Sequence, residues 1–229
     1  MKAARLGRPR LHLRATTSTN DRARELAQAG TPHGTMVTAA QQTAGRGRQG
    51  RTWSAPPGRA LLLSVVLRDP PALLPLAAAL AVAEVAGADA QIKWPNDVLL
   101  DGRKVAGILA EGRPQDGWAV LGVGLNVALR IEDLPPQLHA TAGTLGLEPA
   151  DVEPTLERLL DALERSLALD EATLLGAYRA RDALRGREVT WTAGHGRAAG
   201  IDGAGRLVVE LPDGGRTALS AGEVHLERS

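Results

Sequence analysis

The amino-acid sequence predicts an α+β fold, with a mixed, mostly antiparallel sheet and helices over residues 1–184 and a small β-barrel over residues 185–229. Four strand patterns follow closely on one another between residues 91 and 127, and helix patterns lie on both sides of them. After Leu184, where we place the domain boundary, short strands alternate with glycine turns. Five such strands in about 43 residues are typical of a small barrel.

The first half of the chain contains two helices and three strands, each with a local signal. Ser18-Thr19-Asn20-Asp21 is typical of a helix start, and Gly30-Thr31-Pro32 ends that helix. The second helix is apolar on every side before Glu84, so we expect it to be buried. In chain order the elements are a strand over 11–15, a helix from 18 to about 29, a strand over 36–40, a loop over 43–58, a strand over 60–67 and a helix over 73–85.

The second half begins with the run of four strands. Asp101-Gly102 is the signal of a two-residue hairpin between the second and third of them. Leucines at 156, 159, 160, 163 and 167 recur at helical spacing, and a further helix is predicted from 171 to 184. The strands of the run are predicted over 91–94, 98–100, 104–110 and 118–127, and those of the barrel over 188–191, 197–201, 206–211, 216–220 and 223–226.

Composition limits the class of protein. Hydrophobic residues make up 44% and charged residues 23% of the 229 residues, as in ordinary globular proteins. The formal net charge of +1 gives no reason to expect a polyanionic partner. No apolar run reaches the roughly 18 residues that span a membrane. There is no cysteine, so disulfide and thiol chemistry are excluded, and the five histidines show no metal-ligand spacing.

Lysine is rare in this chain. Of the 27 basic residues only Lys2, Lys93 and Lys104 are lysines, and the others are arginines. The ammonium group is a compact charge, whereas the guanidinium group is a wide planar fork. A lysine that remains in the interior of such a chain is therefore a candidate for a chemical role of its own.

The loop over 43–58 is rich in glycine and arginine, and Gly45-Arg46-Gly47-Arg48-Gln49-Gly50 matches G-x-G-x-x-G. We reject a dinucleotide site, because that fingerprint must open a helix and the prolines that follow prevent one. Glycines let backbone amides approach an anion, and arginines donate forked hydrogen bonds to carboxylate or phosphate. We interpret the loop as a mobile anion-binding segment. A solvated surface loop and a short nucleic-acid-binding segment are the alternatives.

A second candidate motif is the turn Lys93-Trp94-Pro95-Asn96-Asp97, which carries an amide and a carboxylate directly after a buried strand. Asp97 is suited to hold a metal ion or to pair with a cation, and Asn96 to bond a nucleotide or orient a neighbour. Lys104 lies on the returning strand of the predicted hairpin. A capped hairpin turn with a solvent-facing lysine is the structural alternative.

A third motif, Gly122-Val123-Gly124-Leu125-Asn126, ends an apolar strand. Its two glycines lie on one face, which leaves room for another group to lie against the backbone. Asn126 adds a donor and an acceptor at that place. Simple tight packing of the strand is the alternative.

Taken together, these segments resemble the biotin–protein ligases. The motifs that carry the resemblance are Ser18-Thr19-Asn20, the stretch from Gln42 to Trp53, Lys93-Trp94-Pro95-Asn96-Asp97, the stretch from Arg103 to Leu109, Gly122-Val123-Gly124-Leu125-Asn126 and, in the barrel, residues 220–224. They occur in the order and at the spacing of that family, over nearly the whole chain. The resemblance implies a catalytic domain like that of class II aminoacyl-tRNA synthetases and an SH3-like barrel.

The resemblance also implies a reaction in two steps, in which biotin and ATP give biotinyl-5′-AMP and pyrophosphate, and biotin is then transferred to a lysine of a carrier protein. The catalytic residues implied are Lys104, Arg48 and Arg46. The residues implied for biotin are Ser18, Thr19, Asn20, Gln42, Gly45, Arg46, Lys104, Gly107 and Gly124. The residues implied for the nucleotide are Arg48, Arg51, Trp53, Asn96, Asp97 and Asn126. Asp97 is also the candidate ligand for Mg²⁺.

The partner implied is the biotin carboxyl carrier protein of acetyl-CoA carboxylase or a related carboxylase, in the cytoplasm and away from membranes. Bifunctional members of the family carry a DNA-binding domain for which there is no room before Ser18, so we expect no repressor activity and no nucleic acid. The oligomeric state stays open, with a homodimer as one option, and so does a nucleotide contact from Arg228. A lipoate–protein ligase is the nearest rival function, and a non-enzymatic nucleic-acid-binding module is a rival from another class.

Overall fold

The structure, a computed structural model, describes residues 5–220, 222 and 224–226. In these residues the first sheet has seven strands in the order β1-β2-β3-β7-β6-β5-β4. Only β1 and β2 pair in parallel, so the predicted mixed, mostly antiparallel sheet is confirmed. The strands are β1 (Arg10–Leu13), β2 (Met36–Ala39), β3 (Ala60–Arg68), β4 (Gln91–Lys93), β5 (Asp97–Leu100), β6 (Arg103–Arg113) and β7 (Trp118–Asn126).

Helices cover both faces of this sheet. Residues alternate between the two faces of a strand, and accordingly Val65 joins the main core whereas Val66 packs with Ala23 and Ala27 of the first helix. The described α-helices are α1 (Thr19–Gln28), α2 (Leu74–Ala86), α3 (Val152–Leu167) and α4 (Glu171–Ala180). As predicted, α2 is buried along nearly its whole length. None of the described helices is long and apolar enough to cross a bilayer.

The turn between β5 and β6 has the predicted form. Leu100 pairs with Arg103, so two residues connect the strands. Both of them, Asp101 and Gly102, have positive φ angles, of 50° and 72°. This is the conformation that a two-residue hairpin requires, and the Asp-Gly pair adopts it at little cost. The turn thereby returns β6, with Lys104 near its start, alongside β5.

The helix predicted to reach residue 184 ends earlier, at Ala180. The cause is a long-range pairing with the edge strand β4. The Ile92 amide donates to the Arg181 carbonyl (2.7 Å), and the Ala183 amide donates to the Ile92 carbonyl (3.0 Å). The backbone groups of residues 181 and 183 therefore form hydrogen bonds with the edge strand β4 and do not continue the helix.

The C-terminal strands form a second, entirely antiparallel sheet in the order β11-β10-β9-β8-β12. They are β8 (Glu188–Trp191), β9 (Gly194–Ile201), β10 (Leu207–Glu210), β11 (Arg216–Leu219) and β12 (His225–Leu226). In the described part of the chain β11 and β12 are open edges, so the closure of the barrel stays a prediction. Of the residues singled out from the sequence, Ala221, Glu223 and Arg228 lie outside the described residues.

The two sheets share packed residues at a common boundary. The indole nitrogen of Trp94, in the turn after β4, donates to the Gly205 carbonyl of the second sheet (Nε1 to O, 2.9 Å). Arg179 of α4 donates to the Ile201 carbonyl through Nε (3.2 Å) and through its terminal nitrogen (3.0 Å). The second sheet therefore supports the turn that carries Asn96 and Asp97. The division into two domains at Leu184 stays a prediction.

Asp182, beside this boundary, provides a test of the packing. Its Oδ1 accepts from the Leu184 amide (2.9 Å), but its buried Oδ2 has no hydrogen-bond partner among the described residues. Burial raises the pKa of this carboxyl group, and backbone hydrogen bonds partly oppose that effect. An acid with a pKa raised by folding destabilises the folded protein as pH rises through that pKa, and the penalty disappears as pH falls below the ordinary value of about 3.9.

We therefore expect the stability of Asp182→Asn relative to the wild type to increase with pH. The amide keeps the Oδ1 acceptor but cannot ionise. Urea unfolding of both proteins at about pH 4 and about pH 8 measures the difference in unfolding free energy. A difference that is independent of pH would contradict the raised pKa.

Candidate active site

A cavity of about 770 Å³ lies on the α1 face of the first sheet, under the loop over 43–58. Of the residues implied for catalysis, biotin or the nucleotide, all but Gly45 line it: Ser18, Thr19, Asn20, Gln42, Arg46, Arg48, Arg51, Trp53, Asn96, Asp97, Lys104, Gly107, Gly124 and Asn126. Gly45 is buried beside it, where a side chain would collide with the Trp53 carbonyl. The fold thus brings together motifs that are far apart in sequence, while the roles of the single residues stay predictions.

The start of α1 forms the polar end of the cavity. Gln42 Oε1 accepts from the Thr19 amide (2.8 Å) and from the Thr19 hydroxyl (3.1 Å). Ser18 is the N-cap residue, as predicted, but its side chain makes no capping hydrogen bond. Gln42 therefore satisfies a backbone donor at this helix end, in the way that a cap does, and the buried Ser18 side chain stays at the cavity wall.

Behind this end lies a buried hydrogen-bond chain that the sequence did not reveal. Ser64 Oγ of β3 lies 2.8 Å from Thr19 Oγ1 and 2.6 Å from Asn20 Oδ1. Asn20 Nδ2 donates to Glu111 Oε2 of β6 (2.8 Å). Gly122 makes this arrangement fit, because a Cβ atom there would collide with Asn20 Oδ1. Buried polar groups are costly unless they are paired, so the chain holds the start of α1 in place.

Trp53 covers the floor of the cavity. Its ring lies against Gly107 and Gly124, where added Cβ atoms would be 3.0 Å from Cζ3 and 2.5 Å from Cε2. Of the two glycines from which the sequence predicted free space, Gly122 and Gly124, only Gly124 faces the indole, whereas Gly122 faces Asn20. Gly107 of β6 supplies the second glycine beneath the ring. The Nε1 of Trp53 is buried and has no hydrogen-bond partner among the described residues.

Adding one methyl group tests this contact. In Gly124→Ala the ring of Trp53 has to move by roughly 1 Å to restore ordinary contact distances, and the loop has to move with it. We expect stronger acrylamide quenching of Trp53 fluorescence, isolated by subtracting a Trp53→Phe version of each protein. Gly203→Ala is the matched control, because nothing lies within 4 Å of its added Cβ. Equal quenching in Gly124→Ala and the wild type would show that the ring does not depend on this glycine.

Positive groups gather at the opposite end, around Asp97. Lys104 Nζ lies 2.7 Å from Asp97 Oδ1 and 5.7 Å from the centroid of the Trp53 ring. Arg48 donates a long hydrogen bond to Asn96 Oδ1 (3.4 Å). Partial burial lowers the pKa of the Arg48 guanidinium, and the Asp97 carboxylate opposes this shift. Arginine stays protonated at neutral pH regardless, so this end of the cavity is suited to anions.

The backbone fixes the positions of these groups. The Lys104 amide donates to the Thr141 carbonyl, and the Gly143 amide donates to the Lys104 carbonyl, both at 2.8 Å. Asn96 Nδ2 donates to the Ile108 carbonyl (3.0 Å) and so orients the turn before β5. Asn126 Nδ2 donates to the Gly143 carbonyl (2.8 Å), whereas its buried Oδ1 has no partner among the described residues. An unused acceptor of this kind can receive a hydrogen bond from a ligand.

Several lining residues were missed by the sequence analysis. Among them are five residues of the segment after β7, one residue directly before β8 and the two residues of β12, namely Leu134, Leu138, Ala140, Thr141, Ala142, Arg187, His225 and Leu226. No local motif marks these residues, and only packing brings them to the cavity. Ala55 of the loop packs against the buried cluster of Leu129, Leu134 and Ala142, which ties the loop to this wall.

The acidic groups are too few for a metal site made by protein ligands alone. In the described residues no three His, Cys, Asp or Glu side chains are grouped in a way that could hold a metal ion. Asp97 is the single carboxylate among the residues that line the cavity. One carboxylate fits the usual environment of Mg²⁺ on a nucleotide, where phosphates and water supply the remaining oxygen ligands.

Comparison with known proteins gives matches along the chain. The model of the biotin/lipoate A/B protein ligase family matches residues 13–127, and that of the biotin protein ligase C-terminal domain matches residues 185–226. The biotin–[acetyl-CoA-carboxylase] ligase of Mycobacterium tuberculosis is 40% identical over 214 residues, which cover 83% of this chain and 78% of the relative. The ligase of the same name from Paracoccus denitrificans is 37% identical over 239 residues, covering 93% and 98%. The solved biotin protein ligase from Aquifex aeolicus, in complex with biotin and ATP, aligns with a TM-score of 0.82 at 27% identity, covering 97% of this chain and 100% of the other.

Proposed function

The chain belongs to the biotin/lipoate A/B protein ligase family, and we propose that it activates biotin with ATP and transfers it to a lysine of a carrier protein. The observation that carries the proposal is a single cavity with a polar end at the start of α1 and a cationic end around Lys104. The ligase from Aquifex aeolicus, which has the same fold, is described with biotin and ATP together.

In the first step, an oxygen of the biotin carboxylate attacks the α-phosphorus of ATP. The bond from this phosphorus to the oxygen that bridges to the β-phosphate breaks, and pyrophosphate leaves. Both reactants are negatively charged, so the enzyme has to reduce their repulsion and align them. Lys104, Arg48 and Arg51 line the cationic end and supply the positive charge for this step. Lys104 is assigned to the place where carboxylate and α-phosphate meet.

The ring end of biotin is assigned to the polar end of the cavity. Ser18, Thr19 and Gln42 provide hydroxyl and amide groups there, held by the start of α1. The ureido group of biotin has both donors and acceptors, which these side chains can satisfy. A ligand without that group leaves buried polar groups unpaired, and such unpaired groups provide strong discrimination.

The nucleotide is assigned to the side of Trp53 and the loop. The indole offers a stacking surface for a base, and Asn126 Oδ1 is an unused acceptor. Asn96 and Asp97 lie at the turn that faces Arg48. When Mg²⁺ accompanies ATP it would screen phosphate charge, and Asp97 is the residue that would hold it.

In the second step, the deprotonated amine of a carrier lysine attacks the carbonyl carbon of biotinyl-5′-AMP, and AMP leaves with the electrons of the broken C–O bond. The mixed anhydride is already activated, so this step depends mainly on the position of the amine. The acceptor proposed is the biotin carboxyl carrier protein of acetyl-CoA carboxylase or a related carboxylase. The relatives from Mycobacterium tuberculosis and Paracoccus denitrificans are named as ligases of that carboxylase.

Biotin-dependent exchange of radioactive pyrophosphate into ATP tests the proposal directly, because it requires reversible formation of the adenylate. We expect exchange with biotin and none without it. Lipoate is tested in parallel. Exchange with lipoate and none with biotin would assign the rival function, and no exchange with either would overturn the proposal.

A further inference from the structure

Four charged side chains form a closed ring at the outer edge of the cavity. Arg46 of the loop binds Asp21 Oδ1 of α1 (2.6 Å) and Glu111 Oε1 of β6 (3.1 Å). Arg24 of α1 binds the same two carboxylates, Asp21 Oδ1 at 3.2 Å and Glu111 Oε2 at 3.1 Å. The ring therefore joins three segments of the chain, and Arg46 is its only member from the loop.

The ring is connected to the polar end of the cavity. Glu111 Oε2 accepts from Asn20 Nδ2 (2.8 Å), and Asn20 Oδ1 lies 2.6 Å from Ser64 Oγ. Ser64 also contacts Thr19, which binds Gln42. The carboxylate that receives Arg46 is thus held by the same buried chain that fixes the start of α1. Contacts from α1 therefore hold this carboxylate independently of the loop.

We propose that Arg46 is a positioning residue that latches the loop over the cavity by binding Asp21 and Glu111, and that its guanidinium does not neutralise the reacting anions. The latch itself follows from the contacts in the ring. Its consequence for the reaction, the retention of biotinyl-5′-AMP, rests on the proposed function.

Arg46 differs from the other cations of the site in the number of carboxylates that neutralise it. The ring contains two arginines and two carboxylates, so it has no positive charge in excess. At the other end, Lys104, Arg48 and Arg51 line the cavity, and Asp97 is the one carboxylate among the lining residues. To reach a substrate anion, Arg46 would have to leave two partners. The hydrogen bond to Asp21 also raises the pKa of Arg46, which agrees with a stable pairing.

The side chains of the ring are partly exposed to solvent, as expected for ion pairs that break and re-form when the loop opens and closes. The side chains of Arg46 and Arg24 are 41% and 33% exposed, and ion pairs of such exposure are individually weak. A weak latch lets the loop open for substrates and product while favouring the closed form. Loss of the latch should therefore change the opening of the loop and leave global stability nearly unchanged.

Limited trypsin digestion without ligand tests the latch, since Arg48 and Arg51 are cleavage sites in the loop. We expect Glu111→Gln and Asp21→Asn each to accelerate cleavage there by roughly three- to tenfold, the scale of one or two weak ion pairs. Glu111→Gln keeps an acceptor for Asn20. Glu25→Gln is the matched control, because it removes a carboxylate of the same helix that pairs with Arg22 outside the ring, and its cleavage rate should equal that of the wild type.

A multiple variant distinguishes a latch from a local structural effect. Adding Arg46→Gln to the Asp21→Asn/Glu111→Gln protein should produce no further acceleration at the remaining sites, because the partners are already lost. Unchanged cleavage in both single variants, or a further increase with Arg46→Gln, would overturn the latch. Circular-dichroism melting checks that the variants are folded. If Glu111→Gln does not fold, the cleavage rate of Asp21→Asn alone tests the latch.

The second measurement concerns the reaction. After formation of radiolabelled biotinyl-5′-AMP and a chase with unlabelled biotin and ATP, Glu111→Gln should release the label roughly three- to tenfold faster than Glu25→Gln. Equal release together with faster cleavage would restrict the latch to the empty enzyme and overturn its role in retention. If the wild type forms no adenylate, the proposed function fails, while the digestion still decides whether the latch exists.

Discussion

Lys104→Ala is expected to lower biotin-dependent ATP–pyrophosphate exchange by roughly 10²–10⁴-fold, the scale of losing a charge that stabilises the transition state. Lys104 Nζ is the ammonium group at the centre of the cationic end, 2.7 Å from Asp97. Its backbone is held by hydrogen bonds to residues 141 and 143, so the side chain extends from a fixed point. Exchange within a few-fold of the wild type would contradict the assignment.

Two further variants define what the lysine contributes. Arg103→Ala removes a neighbouring exposed cation that does not line the cavity, and it should leave exchange unchanged. Lys104→Ala also leaves Asp97 without its ammonium partner, which adds negative charge at the site. Exchange by Lys104→Ala/Asp97→Asn shows how much of the loss comes from the carboxylate that has lost its ammonium partner. Biotin binding, measured by calorimetry, verifies that the cavity remains intact.

Arg48→Ala is expected to produce a loss of similar size, roughly 10²–10⁴-fold in adenylate formation. Arg48 comes from the loop, yet it reaches the turn that carries Asn96 and lies in the field of Asp97. Its partial burial strengthens its interaction with an anion, because less water screens the charge. Single-turnover formation of biotinyl-5′-AMP measures this step apart from product release.

The control for Arg48 is its neighbour Gln49, which is exposed and does not line the cavity. Gln49→Ala should form the adenylate at the normal rate. If Arg48→Ala and Gln49→Ala behave alike, the guanidinium has no role in this step. Lys104 and Arg48 act on the same developing charge, so the loss in the double variant should be smaller than the product of the two single losses.

The sequence by itself determined the kinds of elements and pointed to 14 of the residues that line the cavity, whose roles stay predictions. The Asp101-Gly102 pair encodes its hairpin because its conformation is local, and the apolar composition of α2 is sufficient to place that helix in the core. The site motifs were recognisable because each is a short, continuous run with a distinctive composition. That the runs meet in one cavity follows from the fold. The sequence predicted the class of that fold, whereas the order of the strands in the sheet came only from the structure.

Only the tertiary structure decided which distant groups meet. The end of α4 at Ala180 depends on pairing with Ile92, and the cavity floor depends on Trp53 lying against Gly124. The pairing of Arg46 with Asp21 and Glu111 joins residues that no local pattern connects. Propensity and periodicity describe what a segment does alone, whereas the partner of a side chain is set by the path of the whole chain.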